Sequence, residues 1–253
     1  MIVLRILGIY ILGWVLGIYA NVISEQEIKG ERHTLPPSLI LRRIYLLWIL
    51  KPIQGIKNRF HRISNRNLRQ NKTEALYILV EIIIIISLNF VYIRYGSTGK
   101  GLGAFLFIYL LIIISVIDLH TMLIPNRFIL ILGGFHGLFI VFGWSISWSQ
   151  ALLGALFGGG VLLGIRYFSL LLLKKEGMGM GDIKLAFICG LYLGPSKIMF
   201  GMLLATYISG FILLVLLIMK KVKRNQYIPY GPFLAGGFIL SLLFYEDIMK
   251  IFQ

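Results

Sequence analysis

Two aspartates stand where a strongly apolar chain would least be expected to carry charge. Asp118 closes the run IIISVIDLHTMLIPNR, and Asp182 follows the glycine-rich KKEGMGMG at the head of IKLAFICG. An ionised carboxylate at mid-bilayer costs at least about 2.5–3.5 kcal/mol on insertion scales, so a carboxylate in or beside an apolar segment is a candidate for chemistry. Taken singly, each has a plainer role. Asp182 is a suitable helix cap, and Asp118 a solvated carboxylate at a membrane boundary. Taken as a pair they offer more. Two carboxylates sharing one proton do not both ionise easily, so one stays an acid while the other acts as a base. Such a dyad can activate water and protonate a leaving amine without a metal or a covalent intermediate.

The flanking residues suit that use. Gly177, Gly179 and Gly181 carry no side chains, so backbone and substrate can come close to Asp182. Pro125 interrupts the chain soon after Asp118. Other chemistries lack their parts. His33, His61, His120 and His136 show no ligand spacing such as HExxH, and no serine nucleophile elbow is present. The glycines at 177, 179 and 181 do not have the GxGxxG spacing and no βαβ pattern surrounds them. Cys189 is the single cysteine, which rules out a disulfide framework and a CxxC zinc site.

The elements that must position the pair are membrane helices. Hydrophobic residues make up 58% of the chain and mean hydropathy is +0.87, beyond the roughly 45–50% apolar content of soluble domains. Unpaired backbone groups are too costly in lipid for anything but helices or closed barrels. Apolar windows predict an all-α, polytopic transmembrane helical bundle of about eight spans, near 2–23, 75–95, 101–117, 127–144, 150–173, 183–194, 197–219 and 232–249. The sixth is short for a full span. The spacings Gly133/Gly137, Gly154/Gly158, Gly160/Gly164 and Gly190/Gly194 are expected to pack helix against helix.

Charge sets the expected orientation. Eleven Lys and Arg lie between residues 24 and 73, which puts that loop in the cytoplasm and the N-terminus outside. The first apolar run exceeds the 7–15 residues of a signal core and reads as an uncleaved helix. Counting alternately, Asp118 and Asp182 fall on the same side, at the cytoplasmic boundary. The net charge of +15 follows from these loops, and nucleic-acid binding is not expected.

With those residues in view, GMGMGDIKL resembles the GxGD motif of the intramembrane aspartyl proteases, in the form carried by bacterial prepilin peptidases (type IV leader peptidases). IDLHTMLIPN resembles the context of that family's first catalytic aspartate. Glu176 to Gly179 resembles its E-G-M-G lead-in, and IPYGPFLAGG its late P-F/Y-G-P-F-L-A segment. GIYANVIS and YILVE, the latter ending in Glu81, are weaker matches.

The resemblance implies Asp118 and Asp182 as the catalytic pair, supported by Gly177, Gly179, Gly181, Pro125 and Lys184. It implies removal of the basic leader of type IV prepilins or pseudopilins after a glycine, at the cytoplasmic face of the inner membrane, with no cofactor. It divides the chain into 1–95, a first span, basic loop and second span like the family's methyltransferase region, and 96–253, the peptidase core. Many family members carry two CxxC zinc pairs in the first loop and then methylate the new N-terminus with S-adenosylmethionine. The loop here has no cysteine, so zinc is not predicted, while methylation stays open, with Glu81 a candidate in that region. The segment LILRRIYLLWILKPIQGI reads as an amphipathic surface helix. Two other classes stay on the table. A transporter or channel could use paired acids to bind a cation or relay protons, although no internal repeat is seen, and an inactive relative would only bind pilin helices or assembly partners. Oligomeric state does not follow from the sequence.

Overall fold

The computed structural model describes residues 2–29, 68–143, 146–174, 177–222 and 227–252. Among these, every regular element is a helix: α1 (Ile2–Lys29), α2 (Leu68–Tyr95), α3 (Gly99–Thr121), α4 (Asn126–Val141), α5 (Trp148–Leu173), α6 (Met180–Ile218) and α7 (Gly231–Ile251). Helices α2, α3, α5, α6 and α7 are long and apolar enough to cross a membrane, and α4 is a shorter apolar helix. The protein is a polytopic helical membrane protein. The expected amphipathic helix in the first loop lies outside the described residues.

The chain forms two compact units, Met1–Phe90 and Val91–Gln253. In the first, glycines let α1 approach α2 closely. A Cβ at Gly13 would lie 3.2 Å from the Ile85 side chain, and one at Gly17 would lie 3.0 Å from the Glu81 backbone. Ile18, Ala20, Val80 and Ile84 are buried there.

In the second unit α3 is the central helix. Ile108, Leu111 and Ile114 are fully buried, as are most residues on every side of it, the pattern of a helix hydrophobic all round. Thr98 starts it as N-cap, accepting from the Gly101 N–H at 3.2 Å. The outer faces of α5 and α6 leave Phe168, Leu171, Tyr207 and Phe211 exposed, as lipid-facing surfaces require.

Helix α6 merges the two expected spans 183–194 and 197–219. The backbone is non-helical at Gly194 (φ 76, ψ 174), and Pro195 follows. That conformation is essentially confined to glycine, and proline cannot continue the preceding hydrogen-bond ladder. The chain reverses at this point. Going away from Gly194 in one direction, Tyr192 stacks on Phe107 near the start of α3, and Asp182 shares a cavity with Asp118 near its end. Going away in the other, Ser241 donates to the Lys197 carbonyl at 2.6 Å and Thr206 meets Tyr230 at 3.2 Å. Tyr230 lines the same cavity as Asp182. In a straight helix residues 182 and 206 would be about 36 Å apart. The two arms of α6 therefore form an antiparallel hairpin, and the short sixth segment is its first arm.

Glycines set the spacing of this hairpin against its neighbours. A methyl group at Gly154 would collide with the Gly190 carbonyl, and one at Gly190 with the Gly154 carbonyl. Gly201 and Gly237 make the same kind of contact between the second arm and α7. The other expected pairings differ. Gly137, Gly160 and Gly164 have open space where a side chain would be. Spacing alone does not say which face a glycine stripe occupies.

At the hairpin's turn, charged residues fasten the bundle. Arg94 makes a bidentate pair with Asp247, at 2.7 and 3.3 Å, and Lys197 reaches Glu246 at 2.8 Å. These contacts join the last residues of α2, the start of the second arm and the last turns of α7.

Candidate active site

Asp118 is held by the way α3 ends. Met122 adopts the left-handed conformation (φ 54) and its N–H closes on the Asp118 carbonyl at 2.8 Å. A non-glycine residue there costs roughly 1–2 kcal/mol, and the turn directs the chain into Pro125, the N-cap residue of α4. The Asp118 side chain is buried. Its Oδ2 accepts from the Gly231 N–H at 3.0 Å, across 113 residues of sequence. Gly231 is the first residue of α7, and its N–H is one of the donors a helix start leaves unpaired. A Cβ at 231 would lie 2.5 Å from Asp118 Oδ2, so the close approach demands glycine.

Asp182 lies in the first turn of α6, whose N-cap is Gly179. Its carboxylate accepts from the Gly179 backbone N–H and feels the charge of Asp118. An acidic group in a helix's first turn is stabilised by the helix dipole. The glycine-rich segment is fixed from both sides. Arg166 on α5 donates to the Met178 carbonyl at 2.9 Å, and a Cβ at Gly177 would lie 2.5 Å from Ser169 Oγ. A Cβ at Gly181 would lie 3.0 Å from Ile124, so its absence lets the turn after α3 seat against the start of α6.

The result is a cavity of about 550 Å³ lined by both aspartates, together with Gly177, Met178 and Gly179 on one side and Tyr227–Tyr230 on another. Tyr230 contributes a wall and a hydroxyl. Burial, with the charge of Asp182 nearby, pushes that hydroxyl above its ordinary value although the bond to Thr206 opposes this. It therefore stays a protonated donor at neutral pH.

Pro125 and Lys184 do not line the cavity. Lys184 Nζ donates to Asn126 Oδ1 at 3.0 Å, tying the first turn of α6 to the start of α4. Lys184 also borders a separate apolar cavity of about 400 Å³ with Ile129, Phe187 and Ile188. His120 turns back to the Val116 carbonyl at 2.9 Å, and His136 is buried edge-on to Tyr192. Glu176 lies outside the described residues. In the first unit, Asn21 Nδ2 donates to Glu81 Oε1 at 3.1 Å and to the Tyr77 carbonyl at 3.0 Å. The segments GIYANVIS and YILVE thus meet through their polar residues. Among the described residues no three His, Cys, Asp or Glu are grouped to hold a metal.

Sequence reasoning passed over Gly231, Tyr230, Thr206 and Arg166. The Gly-Pro pair of IPYGPFLAGG marks a helix start, but nothing local pairs that start with an aspartate so distant in sequence.

Residues 105–218 match the type IV leader peptidase family. The chain is 32% identical over 183 residues to the prepilin leader peptidase/N-methyltransferase of Aeromonas hydrophila, covering 72% of this chain and 62% of that one. Its counterpart in Bacillus subtilis (strain 168) is 30% identical over 160 residues, 63% of this chain and 62% of that one. The one in Pseudomonas aeruginosa is 28% identical over 176 residues, 70% of this chain and 61% of that one. The chain thus matches about three-fifths of the length of these relatives. No solved structure matches the chain.

Proposed function

We propose that the chain, whose residues 105–218 match the type IV leader peptidase family, is an aspartyl endopeptidase that removes the leader of type IV prepilins or pseudopilins after glycine. The observation that carries this reading is the convergence of Asp118 and Asp182 on one cavity beside a glycine-lined wall. In the reaction, one carboxylate takes a proton from water as it attacks the scissile carbonyl. The other, protonated, hydrogen-bonds the carbonyl oxygen and then gives its proton to the leaving amine. The Gly231 and Gly179 N–H groups hold the two carboxylates in place. Gly177 and Gly179 leave room for an extended peptide, while Pro125, Gly181 and Lys184 support the turns that carry the pair.

We assign the cavity to the cytoplasmic face of the inner membrane, since the loops on that side hold most of the 25 Lys and Arg. The division into a first region, 1–95, and a peptidase core, 96–253, belongs to the same reading. For methylation, S-adenosylmethionine would supply the methyl group. The fit on this chain is an acceptor set in the first unit. Asn21 Oδ1 is buried with no partner among the described residues, and the same side chain donates to Glu81. These two residues would hold the cationic end of the donor.

Mass spectrometry of a co-expressed prepilin-like substrate tests the reading. Loss of the leader after glycine with the parent chain, and its retention with Asp182→Asn, is the expected result. A further gain of one methyl group reports the transfer activity. Normal processing by Asp182→Asn sinks the assignment.

A further inference from the structure

The entry to α7 does two things within two residues. Tyr230 Oη meets Thr206 Oγ1 on the returning arm of α6 at 3.2 Å, and the next N–H, that of Gly231, binds Asp118. We propose that Tyr230 is a positioning residue of the carboxylate pair: its hydroxyl, latched to Thr206, fixes the peptide whose N–H holds Asp118. This inference rests on the peptidase reading above.

The direction of the latch follows from counting protons. Thr206 has one hydroxyl proton and gives it to the Met202 carbonyl at 2.8 Å, so its oxygen accepts from Tyr230. Tyr230 is the N-cap residue of α7 but provides no side-chain cap. Its side chain extends instead to the neighbouring arm. The donors at this helix start are few. Pro232 has no N–H, and the N–H groups of Phe233 and Leu234 close on the Tyr230 carbonyl at 3.0 and 3.1 Å. Gly231 therefore supplies the one α7 donor turned to Asp118, and it shares a planar peptide with Tyr230. Without the latch the Tyr230 side chain is free to change rotamer, and the backbone at the head of α7 that carries the Gly231 N–H is held less firmly against Asp118.

The test is steady-state cleavage of a prepilin-like substrate reconstituted with the full chain, comparing Tyr230→Phe, Thr206→Val and the double variant. Tyr230→Phe keeps the ring that walls the cavity, and Thr206→Val keeps the side-chain shape. Each is expected to lower kcat about tenfold, the scale of one lost hydrogen bond, with KM changed less than about twofold. The double variant should be no slower than either single, because all three break the same bond. Thr206→Ser, which restores the hydroxyl, should return kcat to the parental level. Parental kcat in Tyr230→Phe overturns the latch, as do losses that multiply in the double variant or an effect on KM alone. Cleavage by Asp182→Asn overturns the peptidase reading and the latch together, whereas the Tyr230 outcomes bear on the latch only.

Discussion

At the scale of single residues, the site depends on atoms that are missing as much as on those present. Gly231→Ala would bring a methyl carbon within 2.5 Å of Asp118 Oδ2. The carboxylate has to move, and a displacement of about 1 Å near reacting groups can cost on the order of 100-fold in rate. Initial rates of leader removal by Gly231→Ala, at matched amounts of folded protein, should show a loss of that size. Asp118→Asn should be inactive while inserting and folding as the parent does, which detergent-solubilised gel filtration and cleavage assays together check. The sequence singled out the two aspartates and the glycines around Asp182 because their signals are local. The Gly231 contact was not legible there, because its partner is 113 residues away and a helix start looks the same whether it faces solvent or a carboxylate.

At the scale of elements, the hairpin of α6 brings Thr206 on its second arm against Tyr230 at the cavity wall. The sequence showed a break near Gly194 and Pro195, since two spans were expected on either side of it. Alternating spans also implied that the second arm runs back, but not that Thr206 on it meets Tyr230, because local pattern does not say which side chains of distant segments touch. Gly194→Ala should destabilise the bundle by about 1–3 kcal/mol, the scale for a non-glycine residue held in so sparsely populated a conformation. Thermal unfolding in detergent would read this as a lowered Tm. Gly190→Val meets the Gly154 backbone and should separate α5 from α6. Overpacking of this kind costs at least about 1–3 kcal/mol. Gly160→Val on the open face of α5 should leave Tm nearly unchanged, and that contrast separates true packing glycines from those that merely share the spacing.

At the scale of the whole molecule, the second unit divides its work between its two ends. One end carries the cavity and its carboxylates, the other the Arg94, Asp247, Glu246 and Lys197 network. Opposite charges gathered there are partly exposed, so each pair is worth only about 0.2–1 kcal/mol. Arg94→Ala should lower Tm modestly and leave kcat for leader removal near the parental value. A large fall in kcat with unchanged Tm would show that the two ends are coupled. The all-helical membrane architecture was legible from composition and apolar length alone, because the bilayer imposes both. The arrangement of the spans was not, since most outward and inward faces here are equally apolar.

The first arm of the hairpin, Met180 to the break at Gly194, rises only about 21 Å, against a hydrocarbon layer of about 30 Å. The bilayer beside it must thin, or headgroups and water must dip inward to meet it, at a cost of fractions of a kcal/mol per ångström of mismatch. On the proposed peptidase reading, membrane thickness then bears on the rate of cleavage. Vesicles of shorter acyl chains should relax this strain and support faster leader removal than vesicles of longer ones, at equal protein incorporation.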